Sequence, residues 1–488
     1  MESVWKAGKW CACVLACVFG LSAFAARIAA QAAGQGSADS IQALFVSDIH
    51  FEPFRDPGKA AHLAASPVGE WNDLLAAPAT ADAEAQFTKL QQTCHARGDD
   101  TTDALFQSSL RAIHAQANGA KFVIVSGDLI AHSFSCKYAT LFPKSTPAEF
   151  RAFVEKTIAY VMSSLRNALP GVPVYAALGN NDSDCGDYQL DAHGAFLTES
   201  GELFAADLHG AERSRAMQTF AAGGYYSVDL PAPVEHTRLL VLDDLFMSER
   251  YQTCGGKEDR APAAAQIEWL RQQLDEARAK REKVWVMAHI PPGVNAYATA
   301  MKGKDICAKG EPQMFLSSGA LPDLLAGYGD VIQLAIFAHT HMDEVRLLIP
   351  ANGDAAHRPV AVKMVASISP IDGNNPSFTL ATIDPTHAIL ADYRVIAASN
   401  QTGIDTNWTE EYDFTQTYHE PAFTAATVGN LIASFKADPM AQTPASQSYL
   451  RNYMTGVDLR ALALFWQPYV CSLTNDAADA FKGCVCGK

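Results

Sequence analysis

Five short apolar runs, rich in valine and isoleucine, recur along the chain: Ile41 to Val46 (IQALFV), Lys121 to Val125 (KFVIV), Pro173 to Leu178 (PVYAAL), Lys283 to Met287 (KVWVM) and Val331 to Phe337 (VIQLAIF). Nearly continuous apolar runs of this length read as strands buried on both faces. Between them the pattern takes a helical period. Helices are expected at Thr80 to Arg97, Thr101 to Gln116 and Pro147 to Ala168, the last with an apolar stripe of Phe150, Phe153, Val154, Ile158 and Val161. In Ala263 to Arg281 the residues Ile267, Leu270, Leu274 and Ala277 recur at helical spacing, a stripe for core packing, while arginines and glutamates fill the other face. Further strands are expected at Gly224 to Asp229, Arg238 to Asp243, Pro359 to Val365 and Ile389 to Val395, and the segment from Pro421 onward reads as helical and aromatic. Strands alternating with helices, followed by hairpins, make the fold class α/β.

Each of the five runs ends in polar residues able to bind metal. Asp48 and His50 follow the first, Asp128 the second, Asn180 the third, His289 the fourth, and His339 with His341 the fifth. Any one of these has a bland reading as a turn residue or a hydrogen-bonded core histidine. All five behind strands point to one crevice, because open α/β sheets bind ligands beyond the carboxyl ends of their strands. Carboxylates can bridge cations and imidazoles suit zinc and iron, so the mixed Asp/His/Asn set favours a transition-metal pair over calcium. In a regular strand Asp48 and His50, like His339 and His341, would face the same side. Gly34 to Ser40 reads as a linker.

Composition narrows the setting. The formal net charge of −16, without a basic run, argues against nucleic acid or an anionic membrane as the main partner. Lys6 and Lys9 precede an apolar core of 15 residues, Cys11 to Ala25, and Ala23-Phe24-Ala25 resembles a cleavage site, so residues 1–33 read as an export signal with its linker. That core is shorter than the about 20 residues a membrane span needs, which disfavours an uncleaved anchor and stable membrane insertion after cleavage. Three of the 11 cysteines would leave with the signal, and the even set of eight that remains suggests disulfides whose connectivity stays open. Asn400 and Asn407 head glycosylation sequons, read as chance matches.

The series SDIH, SGD, GNND, AHIPPG and AHTH resembles the calcineurin-like metallophosphoesterase superfamily. Within it, Gly127 to His132, His289 to Gly293 and Ser367 to Pro376 are similar to the acid sphingomyelinase-like phosphodiesterases. The resemblance runs from Ile41 to Tyr412. It implies a four-layer α/β/β/α sandwich with a small helical C-terminal subdomain, divided as 38–415 for the catalytic domain and 416–488 for the cysteine-bearing end. It implies two divalent metal ions, zinc before iron or manganese. Asp48, His50 and His341 would hold one, Asn180, His289 and His339 the other, and Asp128 would bridge them. The implied activity is hydrolysis of small-molecule phosphate esters, phosphocholine-like or nucleotide, by in-line attack of a metal-bridging hydroxide.

One position departs from the family. Asn181 stands where the superfamily usually has a histidine that protonates the leaving oxygen, and an amide has no titratable proton to give. His132, four residues past Asp128, then becomes the candidate acid. Some endopolyphosphatase-like relatives also resemble GNND here, so an endopolyphosphatase is the rival enzyme and a metal-stabilised binding protein the rival of another class. Only the signal and a short linker precede Ile41, which favours soluble esters over sphingomyelin.

Overall fold

In the computed structural model, the described residues are 40–487 apart from 235, 304, 351–357 and 458–459. The export-signal reading of residues 1–33 therefore lies outside the described residues.

The expected runs form parallel strands in two sheets. The first sheet holds β1 (Ile41–Val46), β2 (Ala120–Val125) and β3 (Val174–Ala176) in parallel, continued by β10 (Ser377–Asp384), β11 (Ile389–Ala398) and β12 (Trp408–Asp413) in the order β12-β11-β10-β1-β2-β3. The second contains β4 (Tyr226–Asp229), β5 (Thr237–Val241), β6 (Lys283–Met287), β7 (Ile332–Phe337), β8 (Glu344–Leu348) and β9 (Val360–Met364) in the order β4-β5-β6-β7-β9-β8. There β5, β6, β7 and β9 run parallel, with β4 and β8 antiparallel at the edges.

Aromatic side chains join the sheets face to face. The Trp285 ring lies 6.1 Å from that of Phe45 and 6.0 Å from that of Phe122, edge-on in both cases. The Tyr226 hydroxyl donates to the Ala176 carbonyl at 2.7 Å and accepts from the Ala176 N–H at 3.0 Å, tying β4 to β3. Helices close the outer faces: Asp103–Gln116 and Pro147–Ala168 on one side, Ala261–Lys280 and Ala320–Ala326 on the other. The Pro147–Ala168 helix has the bounds its sequence predicts, because Thr146 and Glu149 form a capping box around a proline in its first turn. The result is the α/β/β/α sandwich.

From Phe414 the chain turns helical, with helices at Ala425–Lys436, Pro444–Asn452, Trp466–Ser472 and Ala478–Cys486 among others. They pack on β8: the Leu347 N–H donates to Leu473 O at 2.9 Å, and the Tyr469 hydroxyl to Glu344 Oε2 at 3.1 Å. All eight described cysteines pair, as Cys94–Cys136, Cys185–Cys254, Cys307–Cys486 and Cys471–Cys484. Among the described residues no helix is long and apolar enough to cross a membrane.

Candidate metal centre

The C-terminal ends of β1, β2, β3, β6 and β7 meet at one edge, and the seven expected ligands converge there. Asp128 Oδ2 lies 3.3 Å from His50 Nε2 and 3.2 Å from His289 Nε2. Asp48 Oδ1 lies 3.4 Å from His341 Nε2, 3.8 Å from His50 Nε2 and 3.9 Å from His289 Nε2. Asn180 Oδ1 is 3.2 Å from His289 Nε2, and His339 shares a cluster with Asp128 and His289.

The route to this convergence differs from the strand geometry expected for Asp48 and His50. Asp48, His50, Asp128, His339 and His341 all have left-handed backbones, with φ of 45, 44, 56, 70 and 64°. Such conformations cost non-glycine residues about 1–3 kcal/mol each when strained, and they concentrate at functional sites. The side chains thus converge from tight loops past the strand ends. Gly179 is needed for the same reason: a Cβ there would stand 2.1 Å from Asp128 Oδ1.

Charge and burial test whether this donor set suits cations. Asp48, His50 and His289 are fully buried, and Asp48 Oδ1 and His50 Nε2 have no hydrogen-bond partner. Burial would depress the imidazoles, yet Asp128 with Asp48 raises His50 to about 9 and His289 to about 10. His339 instead falls to about 3, pushed down by burial and by His289. Two imidazolium groups facing two carboxylates occupy the positions where divalent ions would compensate the same charge, so this donor set fits a metal pair.

Neighbours fix a ring nitrogen in three of the four imidazoles. His50 Nδ1 lies 3.0 Å from Ile130 O, His289 Nδ1 2.8 Å from Ser126 O, and His339 Nε2 3.1 Å from the Tyr188 hydroxyl. Such partners orient metal-binding imidazoles. Asn181 donates to Asp128 twice, from its backbone N–H to Oδ1 at 2.8 Å and from Nδ2 to Oδ2 at 2.9 Å. The Asp182 carboxylate accepts from the N–H groups of Gly179, Leu129 and Ile130 at 2.9, 2.8 and 3.1 Å, so it locks the loop after β3 to the loop after β2.

His132 stacks on His50 with ring centroids 3.9 Å apart. Asp100, which the sequence reading missed, accepts from the His132 backbone N–H at 2.8 Å and sits 3.0 Å from its Nδ1. Burial would raise the Asp100 carboxyl, but His132 beside it keeps it below the usual carboxylate range. Asp100 lies in a loop between helices, where no strand-end signal marks it. A cavity of about 300 Å³ opens next to the centre, lined by His339, Phe315, Tyr297, Glu344, Tyr453 and Tyr469 among others.

The calcineurin-like phosphoesterase family model (Metallophos) matches residues 41–343. The chain belongs to the calcineurin-like phosphoesterase family. Like them it is an enzyme, a hydrolase of phosphoric esters. Among its relatives is a cyclic GMP-AMP phosphodiesterase of Rattus norvegicus, 26% identical and aligned over 66% of this chain and 68% of that one. A human acid sphingomyelinase-like phosphodiesterase 3b is 23% identical over 90% of this chain and 89% of its own. A sphingomyelinase phosphodiesterase C of Dictyostelium discoideum is 23% identical over 79% and 82%. The phosphoesterase motifs place this chain beside the acid sphingomyelinase-like branch, as its sequence suggests.

Proposed function

We propose that the chain is an exported dinuclear-metal phosphodiesterase acting on a small-molecule phosphate ester. Asp48, His50 and His341 would hold one cation, Asn180, His289 and His339 the second, and Asp128 would serve both. The observation that carries this reading is the place of Asp128 Oδ2, about midway between imidazoles of the two sets, 3.3 Å from His50 and 3.2 Å from His289. When bound, two such cations polarise a phosphoryl oxygen and supply an ionised water as nucleophile. Zinc suits the imidazole-rich donor set, with iron and manganese next.

The chain's own groups do the rest. Asn181 donates to both Asp128 oxygens, from its backbone N–H and from Nδ2, and so positions the bridging carboxylate; its amide has no titratable proton, which leaves protonation to another group. His132 is the acid: Asp100 accepts at Nδ1, which fixes the ring and leaves Nε2 to hand its proton to the leaving oxygen. The names of the relatives support a diester substrate, nucleotide or phosphocholine-like. The GNND motif favours endopolyphosphatase activity as the second reading. Pairing of all eight described cysteines supports export. The domain division is 38–415 and 416–488.

Metal-loaded protein should hydrolyse bis(p-nitrophenyl) phosphate, lose the activity on chelation and regain it with zinc. No turnover under any metal would leave a binding protein, and chain shortening of polyphosphate in place of diester cleavage would favour the second reading.

A further inference from the structure

Arg250 lies outside the seven ligands, yet its surroundings tie it to two of them. Its side chain is 67% exposed. Its guanidinium sits 4.0 Å over the Tyr188 ring and 3.4 Å from Asp187 Oδ2. Tyr188 reaches His339 through its hydroxyl at 3.1 Å, and Asp187 Oδ1 accepts from Asn180 Nδ2 at 2.7 Å. Both contacts lead to ligands of the same proposed cation.

The backbone that carries Arg250 is held as firmly. Gln252 donates to Tyr188 O at 3.0 Å and accepts from the Leu190 N–H at 3.2 Å, a parallel bridge beside the Cys185–Cys254 disulfide. Stacked on Tyr188 and facing Asp187 from this anchored backbone, the guanidinium has contacts that hold it before any ligand arrives, which reduces the ordering cost of binding. Its one ion pair among the described residues is the long contact with half-exposed Asp187, so the guanidinium keeps N–H donors for a second anion. A fixed, exposed cation at this rim also counters the repulsion that a chain of net charge −16 exerts on polyanions.

We propose that Arg250 is a substrate-binding residue that selects esters with a second phosphate bonded next to the scissile one, as in organic diphosphates. This rests on the two-metal phosphodiesterase reading, because the scissile phosphate must lie over the ligand set. One tyrosine ring separates the guanidinium from His339, so an adjoining phosphate falls within its reach, and its fork matches phosphate oxygens in pairs. Hydrolysis adds water across the P–O–P bond: the water oxygen joins the attacked phosphorus, and the bridging oxygen leaves with the other phosphate and takes a proton.

Two measurements on metal-loaded protein test this. In the first, kcat/KM is compared between adenosine diphosphate and bis(p-nitrophenyl) phosphate for wild type, Arg250→Gln and Arg250→Lys. The ratio of the two should shift against the diphosphate by about tenfold in Arg250→Gln, mainly through KM, and recover in part in Arg250→Lys. In the second, calorimetry compares adenosine diphosphate with adenosine monophosphate, and the same variant should lose about tenfold of the affinity ratio at unchanged metal content. Equal losses on both substrates with loss of metal would overturn the proposal and leave Arg250 a buttress for Asp187 and Tyr188. An unchanged ratio would overturn it too. If wild type hydrolyses neither substrate, the phosphodiesterase reading fails, while the calorimetric ratio still decides for or against Arg250.

Discussion

Replacing His132 with alanine separates the two jobs an imidazole can do beside a phosphoryl group, proton donation and phosphate binding. Proton donation matters in proportion to how badly the leaving group departs. The structure supplies what an acid needs: Nδ1 held 3.0 Å from Asp100, the ring stacked 3.9 Å from His50, and a side chain still 23% exposed towards solvent. General acids of this kind contribute about 10²–10⁴-fold, so a mid-range loss of about 10³ corresponds to about 4 kcal/mol on the barrier. We expect that loss in kcat for an alkyl diester such as glycerophosphocholine, whose alkoxide must be protonated. For bis(p-nitrophenyl) phosphate, whose phenolate departs unaided, the loss should stay within about tenfold. Asp100→Asn keeps the shape but turns one accepting oxygen into a donor, so either Nδ1 or the His132 N–H loses its partner; it should follow the same leaving-group trend at about a tenth of the size. The assay is steady-state kcat on both esters at saturating metal. Equal losses on the two would refute the acid and leave phosphate positioning, and no loss on either would remove His132 from the mechanism.

Asp182→Ala should destabilise the fold by about 3 kcal/mol in urea unfolding, since three buried N–H groups lose their acceptor, while relief of burial and of Asp128 repulsion, which raise Asp182 to about 6, returns part of the cost. An unchanged midpoint would show that the two loops hold without it. Burial, then repulsion from Asp343, raise Glu411 from 4.5 to about 8. Between those values the folded state keeps a proton that the unfolded state has released, so this group's contribution to stability falls as pH rises from about 4.5 to 8. Glu411→Gln should flatten that part of the stability–pH curve, and an unaltered slope would contradict the assignment. Thiol titration of denatured, natively exported protein should find none of the eight described cysteines free, and eight free thiols would refute the disulfides.

What could be read from the sequence follows from what local physics controls. The strand at Lys283–Met287 and the helix at Pro147–Ala168 have the bounds the pattern predicts, because an unbroken apolar run and a capping box are local signals. The strands at Glu344–Leu348 and Trp408–Asp413 escaped. The first buries Glu344 and Arg346 as a pair beneath the C-terminal helices, and the second is a sheet edge with Thr409 and Glu410 in solvent, so neither has an apolar pattern. The seven proposed ligand positions were visible because each sits behind a buried strand. The left-handed backbones of five of them were not, and the shared face expected for Asp48 and His50 gave way to loop geometry. Asp100 and Tyr188 reach the site residues, and Arg250 the neighbours of two of them, through tertiary packing from loops with no marker of their own.

The most direct test of the two-metal account is the metal content of the folded chain. Protein purified without added metal, reloaded with zinc and dialysed, should contain about two ions per chain by elemental analysis, and Asp128→Ala, which removes the bridge, should retain at most one and lose turnover. One ion or none in the reloaded wild type, or full activity in Asp128→Ala, would contradict it.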